Sequence, residues 1–200
     1  MAFYNIQVYP GIHTPGEPYK VQWCNPTGHP FLGAGAQGAV FQLSAAACVK
    51  VFAYEADAQQ EAVTLGRASS ASFIPQVYET GPNYIVMEFI QGQGIKTFLS
   101  EQQAFPHYLA EKLLAMIYEM KRVGFTRIDT ALRHVYITPE RQVKVIDHVN
   151  SYRTVQPYPE RMLRSLANIG YLAPFLQYVE RQDPAMYAEW KQASMIPCAE

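Results

Sequence analysis

Three glycines near the start of the chain constrain its fold more than any other feature. They are Gly33, Gly35 and Gly38 in the stretch FLGAGAQGAVF (31–41), spaced G-x-G-x-x-G. One structure with this spacing is the turn of a dinucleotide-binding fold, which requires a strand before the glycines and a helix after them. Another is a β-hairpin whose backbone can approach phosphate groups because glycine has no Cβ. An ordinary glycine turn is the third interpretation.

The residues after the glycines favour a hairpin. The sequence AVFQLSAAACVKVF (39–52) has the β-branched and aromatic content of two short strands on either side of the small-residue turn 44–47. A helix at this place, as the dinucleotide turn requires, is therefore disfavoured. Lys50 lies on the returning strand, next to the glycine hairpin.

The charge balance argues against strongly anionic partners without excluding them. The 200 residues include 16 basic and 17 acidic ones, so the net charge is -1, and no basic cluster is present. A nucleic acid or an anionic membrane is therefore not expected as the main partner. Half of the residues are apolar, which is typical of a soluble globular chain.

The cysteines and the apolar runs predict a cytoplasmic location. Cys24, Cys48 and Cys198 are odd in number and form no C-x-x-C pair, so neither a disulfide framework nor a zinc site is expected. No run of 18 apolar residues and no signal-peptide pattern is present, which predicts that the chain has no membrane span.

The secondary-structure signals change along the chain. Residues 1–30 contain five of the 14 prolines and favour edge strands and turns. Strand signals dominate up to residue 90, apart from a helix predicted at EADAQQEAVTLGRA (55–68). Apolar residues at helical spacing follow in 106–124. We therefore expect an α+β chain with a β-rich part at 1–90, whose first 30 residues are additional strands and turns, and a helical part at 91–200.

Six motifs occur in a characteristic order. They are GAGAQGAV (33–40), CVK (48–50), EAVTL (61–65), IVMEFIQGQ (85–93), IDTALRH (128–134) and VIDH (145–148). This order resembles the protein kinase family over residues 31–150. The resemblance implies a two-lobed fold with a small β-rich N-lobe and a helical C-lobe, ATP and Mg²⁺ as ligands, and the glycine region 90–94 as the hinge.

The resemblance assigns nucleotide-binding roles in the first part of the chain. Lys50 would bind the α and β phosphates and would be held by Glu61, although Glu55 is an alternative partner. The glycine loop and Val40 would cover the nucleotide. Glu88 and Ile90 would offer backbone groups to the adenine, with Met87 packed behind them or simply part of the core.

The resemblance assigns the chemistry to the second part of the chain. Asp129 would orient or accept the proton of the attacking hydroxyl, and Asp147 would hold Mg²⁺. Asp147 also suits a turn or cap position. Arg133 lies four residues after Asp129, where tyrosine kinases have an arginine, and would contact the γ-phosphate.

The chain departs from the family pattern at His134 and after Asp147. His134 stands where the family has asparagine, a second metal ligand, and imidazole is a poor ligand for Mg²⁺. It would be a poor second metal ligand, it would contact phosphate or Asp129 while the site holds a single metal, or it is a packed histidine. The segment DHV replaces Asp-Phe-Gly, and about fifty residues remain for two or three helices.

This truncated pattern is most similar to short bacterial serine/threonine protein kinases. It implies an ATP-dependent phosphotransferase whose phosphoacceptor is a protein hydroxyl. Two alternatives stay open: a nucleotide-binding pseudokinase, and a kinase of small molecules, since the helices that bind peptide substrates are reduced.

Overall fold

The structure is a computed structural model that describes residues 3–13, 16 and 18–193, so Cys198 lies outside the described residues. The strands are β1 (Gln7–Tyr9), β2 (Gln22–Cys24), β3 (Phe31–Ala34), β4 (Gly38–Gln42), β5 (Ala47–Phe52), β6 (Val77–Thr80), β7 (Tyr84–Glu88), β8 (Gln93–Gly94), β9 (Val135–Ile137) and β10 (Val143–Val145). The helices are α1 (Glu55–Arg67), α2 (Ile95–Ser100), α3 (His107–Arg122), α4 (Glu160–Asn168), α5 (Leu172–Gln182) and α6 (Pro184–Gln192). The fold is therefore mixed α+β, with strands dominating the first part and helices the second.

The chain forms two compact units. The first runs up to Ser69 and includes Ile74–Gln91, and the second consists of Ser70–Phe73 and the chain from Gly92 onward. The short segment 70–73 joins the second unit because the Phe73 carbonyl accepts a hydrogen bond from the Val145 N–H of β10. The sequence contains no local signal for this insertion.

The first unit is built on a five-stranded antiparallel sheet in the order β3-β4-β5-β7-β6. Strands lie on both sides of the glycines, so the hairpin prediction is confirmed and the dinucleotide turn is excluded. The predicted strands in 1–30 are also found, since β1 and β2 form a separate antiparallel pair.

Helix α1 packs on this sheet, in contact with β5 and β7. Its alanine, glutamine and glutamate content favours a helix, as predicted, and residues Ala58, Glu61 and Leu65 are buried at helical spacing. Glu61 is thus an acidic residue on the buried face of the helix.

The second unit combines helices with a small sheet in the order β10-β9-β8. Strands β9 and β10 form an antiparallel hairpin, and β8 pairs with β9 from within the predicted hinge segment. Helix α3 buries Leu109, Leu113, Ile117 and Met120, as its spacing predicts, and ends before Gly124, which has φ +77°. Two or three helices are predicted after Asp147, and the structure has three there, α4 to α6.

Across the described ranges, no helix combines the length and the apolar character needed to cross a bilayer.

Candidate functional site

Lys50 and Glu61 form a partly buried ion pair in the first unit. The Lys50 Nζ lies 2.5 Å from the Glu61 Oε2, and the side chains are 14% and 4% exposed. Lys50 lies on β5 between the buried residues Val49 and Val51, and its ammonium group is 4.8 Å from the centre of the Phe52 ring. Glu55 is exposed at the start of α1, so the preference for Glu61 as the partner is confirmed.

The three glycines of the hairpin differ in what surrounds them. A Cβ on Gly38 would lie 2.5 Å from the Val51 carbonyl oxygen, so glycine is required there for β4 to approach β5. A Cβ on Gly33 or Gly35 would meet no atom within 4 Å, and neither glycine has a positive φ. The conformation of the protein therefore does not require glycine at these two positions.

The end of β7 carries the residues expected near the adenine. Met87 is buried and Ile90 is half-buried. The Glu88 N–H donates to the Gln76 carbonyl, and the Glu88 carbonyl accepts a hydrogen bond from the Cys48 thiol at 3.6 Å. The Ile90 N–H donates no hydrogen bond within the described part of the chain. The Glu88 carbonyl and the Ile90 N–H, which the resemblance assigns to the adenine edge, thus lie two residues apart at the end of β7.

Cys48, on β5, is inert rather than reactive. Burial and the nearby Glu88 charge raise the pKa of its thiol to about 11, because both disfavour the thiolate. Cys48 is thus a buried side chain of the core. Val40 faces Lys50 across the β4 and β5 register.

In the second unit, Asp129 is held by α4. Its Oδ1 accepts a hydrogen bond of 2.6 Å from the Arg161 backbone N–H, and its Oδ2 lies 3.2 Å from the Arg161 Nε. Arg127 Nη2 is 3.7 Å from the same Oδ2. The carboxylate is 4% exposed, so its position is firmly set by cationic and N–H groups.

Asp147 and His134 lie together, beside Asp129. The His134 Nε2 is 3.8 Å from the Asp147 Oδ2, and the Asp147 side chain is 47% exposed. Asp147 has φ +69°, a left-handed conformation that aspartate tolerates better than most residues. The left-handed backbone agrees with the turn interpretation, while the exposed carboxylate stays available to a cation.

One small polar pocket brings these residues together. It is lined by Arg127, Asp129, Thr130, Ala131, Arg133, His134, Ile146, Asp147, Asn150, Ser151 and Arg161. Sequence reasoning missed Asn150, Ser151 and Arg161. No local pattern marks Arg161, which lies 32 residues after Asp129 and reaches it only because α4 begins beside the pocket.

The histidine after Asp147 is part of the core. His148 is 2% exposed, and its Nε2 donates a hydrogen bond of 2.8 Å to the Val145 carbonyl. The ring centres of Phe73 and Phe125 each lie 5.9 Å from the centre of its imidazole ring. It therefore packs among aromatic rings, at the place where the resemblance expected phenylalanine.

The carboxylate of Asp147 is the side chain that could bind a metal ion in this pocket. In the described ranges, no three His, Cys, Asp or Glu side chains are grouped so that they could hold a metal ion. Mg²⁺ in phosphotransferases is commonly bound by one or two carboxylates together with substrate phosphates and water. The half-exposed Asp147 carboxylate fits that mode of binding.

Comparison with known proteins gives two matches. Residues 51–169 match the family described as ABC1 atypical kinase-like domain. The chain is also 29% identical over 121 residues to a protein of Bacillus subtilis (strain 168) named "Putative serine/threonine-protein kinase YrzF". That match covers 58% of this chain and 56% of the relative. The glycine hairpin and Lys50 precede the part that matches the family.

Proposed function

We propose that this chain, which belongs to the ABC1 atypical kinase-like domain family, is an ATP-dependent serine/threonine protein kinase. Its two compact units would act as the N-lobe and C-lobe of one kinase-like domain. The observation that carries the proposal is the Lys50 and Glu61 pair at 2.5 Å. A strand lysine fixed by a helix glutamate beside a glycine hairpin is the arrangement that kinases use to place a cation on nucleotide phosphates.

The first unit would bind the nucleotide. Gly33 and Gly35 have open space where a Cβ would be, so the backbone there can approach phosphate oxygens. Lys50 would contact the α and β phosphates. The adenine edge would use the Glu88 carbonyl and the Ile90 N–H, with Val40 and Met87 as apolar neighbours.

The second unit would supply the metal site and the acceptor site. Asp147 would hold Mg²⁺, with His134 beside it as a weak second ligand at most. When bound, Mg²⁺ would neutralise charge on the phosphate oxygens. Arg133, which lines the same pocket, would contact the γ-phosphate.

The transfer itself requires a positioned hydroxyl. The acceptor oxygen would form a bond to the γ-phosphorus while the bond from that phosphorus to the β,γ-bridging oxygen breaks, so that ADP leaves. The hydroxyl proton would pass to Asp129. Both oxygens of Asp129 already accept contacts from Arg161, but each carboxylate oxygen has two lone pairs and can accept a second hydrogen bond.

The hold of Arg161 on Asp129 also favours a second candidate, a nucleotide-binding pseudokinase. In that case Asp129 would serve only to fix the start of α4. ATP and Mg²⁺ would then raise the melting temperature without being turned over.

One experiment separates these functions. The protein is incubated with γ-labelled ATP and Mg²⁺, alone and with cell extract, beside an Asp147→Asn variant. Labelled protein formed by the wild type and not by the variant supports the kinase. A melting temperature raised by ATP without phosphate transfer supports the pseudokinase. If ATP causes neither transfer nor a shift in melting temperature, nucleotide binding is refuted.

A further inference from the structure

We infer that the phosphoacceptor carries an anionic group next to the reacting hydroxyl and that Arg161 binds this group. The inference rests on the proposed function, because it names the class of substrate for the same pocket. An acidic segment of a protein, with Asp, Glu or a phosphorylated residue next to the reacting serine or threonine, is the substrate that fits.

The charges of the pocket are the first observation. Its lining contains three guanidinium groups, from Arg127, Arg133 and Arg161, and two carboxylates, from Asp129 and Asp147. One positive charge is therefore left over while His134 is neutral, before any cation binds to Asp147. A concave site with an excess of one sign attracts ligands of the opposite sign.

The hydrogen-bonding capacity of Arg161 is the second observation. Its backbone N–H and its Nε are used on Asp129, whereas its two terminal amino groups form no hydrogen bond or ion pair with another side chain within the described ranges. The side chain is 54% exposed, so these groups are accessible. A guanidinium group with free terminal donors binds a carboxylate or a phosphate in bidentate fashion.

The position of Arg161 indicates that the anion it binds belongs to the phosphoacceptor and not to ATP. Arg161 is bonded directly to Asp129, the residue that would meet the acceptor hydroxyl. An anion held by its terminal amino groups would thus be a close neighbour of the acceptor oxygen. Within the same unit, the γ-phosphate of the nucleotide has its own proposed partner in Arg133.

The size of the pocket limits what enters it. Its volume of about 80 Å³ is well below the roughly 300–1,000 Å³ that holds a whole small-molecule ligand. It therefore suits single functional groups of a larger acceptor, such as a hydroxyl and a neighbouring carboxylate.

Arg164 provides a matched control. It lies one turn further along α4, is 69% exposed, pairs with Glu160 and does not line the pocket. Arg161→Gln and Arg164→Gln remove the same charge from the same helix. Arg161→Gln also keeps the backbone N–H that holds Asp129, so the acceptor site retains its main support.

The test compares three serine peptides that differ only in flanking glutamate, glutamine or lysine. For the wild type with ATP and Mg²⁺, we expect kcat/KM for the glutamate peptide to exceed that for the glutamine peptide by about tenfold or more, since a hydrogen bond to a charged group is involved. Arg161→Gln should bring this ratio close to one, Arg161→Lys should restore part of it, and Arg164→Gln should leave it unchanged.

A merely structural role of Arg161 would lower kcat/KM for all three peptides equally and leave the ratio intact, which would overturn the inference. Equal use of the glutamate and glutamine peptides by the wild type would overturn it as well. If Arg161→Gln melts below the assay temperature, Arg161→Lys carries the comparison. Glycerol phosphate and glycerol form a second matched pair of acceptors. A preference for glycerol phosphate over every peptide would identify a small anionic molecule as the acceptor and overturn the assignment to an acidic protein segment.

Failure of the proposed function gives a different result. If no phosphate is transferred, binding of the same peptides is measured by calorimetry. Tighter binding of the glutamate peptide that disappears in Arg161→Gln and persists in Arg164→Gln would retain the anion site and reject the kinase. Equal binding of the glutamate and glutamine peptides would overturn the inference.

Discussion

Lys50 and Glu61 are eleven residues apart, on β5 and α1, and their charged atoms are 2.5 Å apart. The pair brings a glutamate from the buried face of a helix to a lysine that lies between buried valines. Glu61 is 4% exposed, so its charge depends on the ammonium group for compensation. The ammonium group in turn is fixed in place, which a phosphate ligand requires.

The first prediction is a double-mutant cycle on this pair. Lys50→Met leaves a buried carboxylate without its cation and should cost about 3–5 kcal/mol of unfolding free energy. Adding Glu61→Gln should recover part of that cost, giving a coupling of about 0.5–3 kcal/mol. ATP binding should be lost whenever Lys50 is absent, and should be weakened but not lost in Glu61→Gln.

Chemical denaturation and ATP titration calorimetry measure both effects below the melting temperature of each variant. Lys96→Met, at an exposed position on α2, is the control and should change neither quantity. Wild-type ATP affinity in Lys50→Met would remove this lysine from the nucleotide site.

The second prediction separates the three glycines. Gly38→Ala should destabilise the protein by about 1–3 kcal/mol, because its Cβ would meet the Val51 carbonyl oxygen at 2.5 Å. Gly33→Ala and Gly35→Ala should leave stability unchanged or up to about 1 kcal/mol higher, yet both should weaken ATP binding.

Gly66→Ala, on α1 with open space around it, is the control. It should raise the melting temperature and leave ATP affinity alone. Undiminished ATP affinity in Gly33→Ala and Gly35→Ala would argue that the hairpin does not approach the phosphates.

The third prediction concerns Asp129. In Asp129→Asn the amide oxygen can still accept the hydrogen bond from the Arg161 N–H, so the fold should persist. Loss of the proton acceptor should lower kcat by about 100-fold or more and change ATP affinity little. Steady-state kinetics with ATP titration and a melting curve check this. Full turnover in the variant would show that Asp129 only holds α4.

The fourth prediction concerns His134, whose Nε2 is 3.8 Å from the Asp147 carboxylate. An amide oxygen suits Mg²⁺ better than imidazole does, so His134→Asn should keep the fold and leave activity equal or higher, with a lower Mg²⁺ concentration at half-maximal rate. Mg²⁺ titrations of both proteins beside their melting temperatures provide the measurement. Reduced stability with an unchanged Mg²⁺ response would favour a packing role. Loss of activity in a stable variant would assign the histidine a catalytic role.

The fifth prediction is a pH dependence. The pKa of Cys48 is raised to about 11, so the reactive thiolate is scarce below that pH and increases only as pH rises toward it. In a Cys198→Ser background, iodoacetamide at pH 8 should label the exposed Cys24 quickly and Cys48 only after unfolding. Peptide mass spectrometry reads out both sites. Rapid labelling of Cys48 in the folded protein would contradict its burial against Glu88.

Most of the local structure could be predicted from the order of the residues alone. The spacing of apolar residues predicted α3, the alanine and glutamate content predicted α1, and the strand signals around a small-residue turn predicted the hairpin of β4 with β5. These features depend on residues that are close neighbours in sequence, which is the range over which the periodicity of apolar residues predicts helices and strands.

Which distant groups meet depends on the tertiary structure. It inserted Ser70–Phe73 into the second unit, buried His148 among aromatic rings, and placed the Arg161 guanidinium on Asp129. It also showed that Gly38 is required by packing whereas Gly33 and Gly35 are not. Each of these contacts joins segments whose separation in sequence does not determine their distance in space. The burial of apolar faces determines how the helices and strands pack, and charged side chains then pair with the groups that this packing brings beside them.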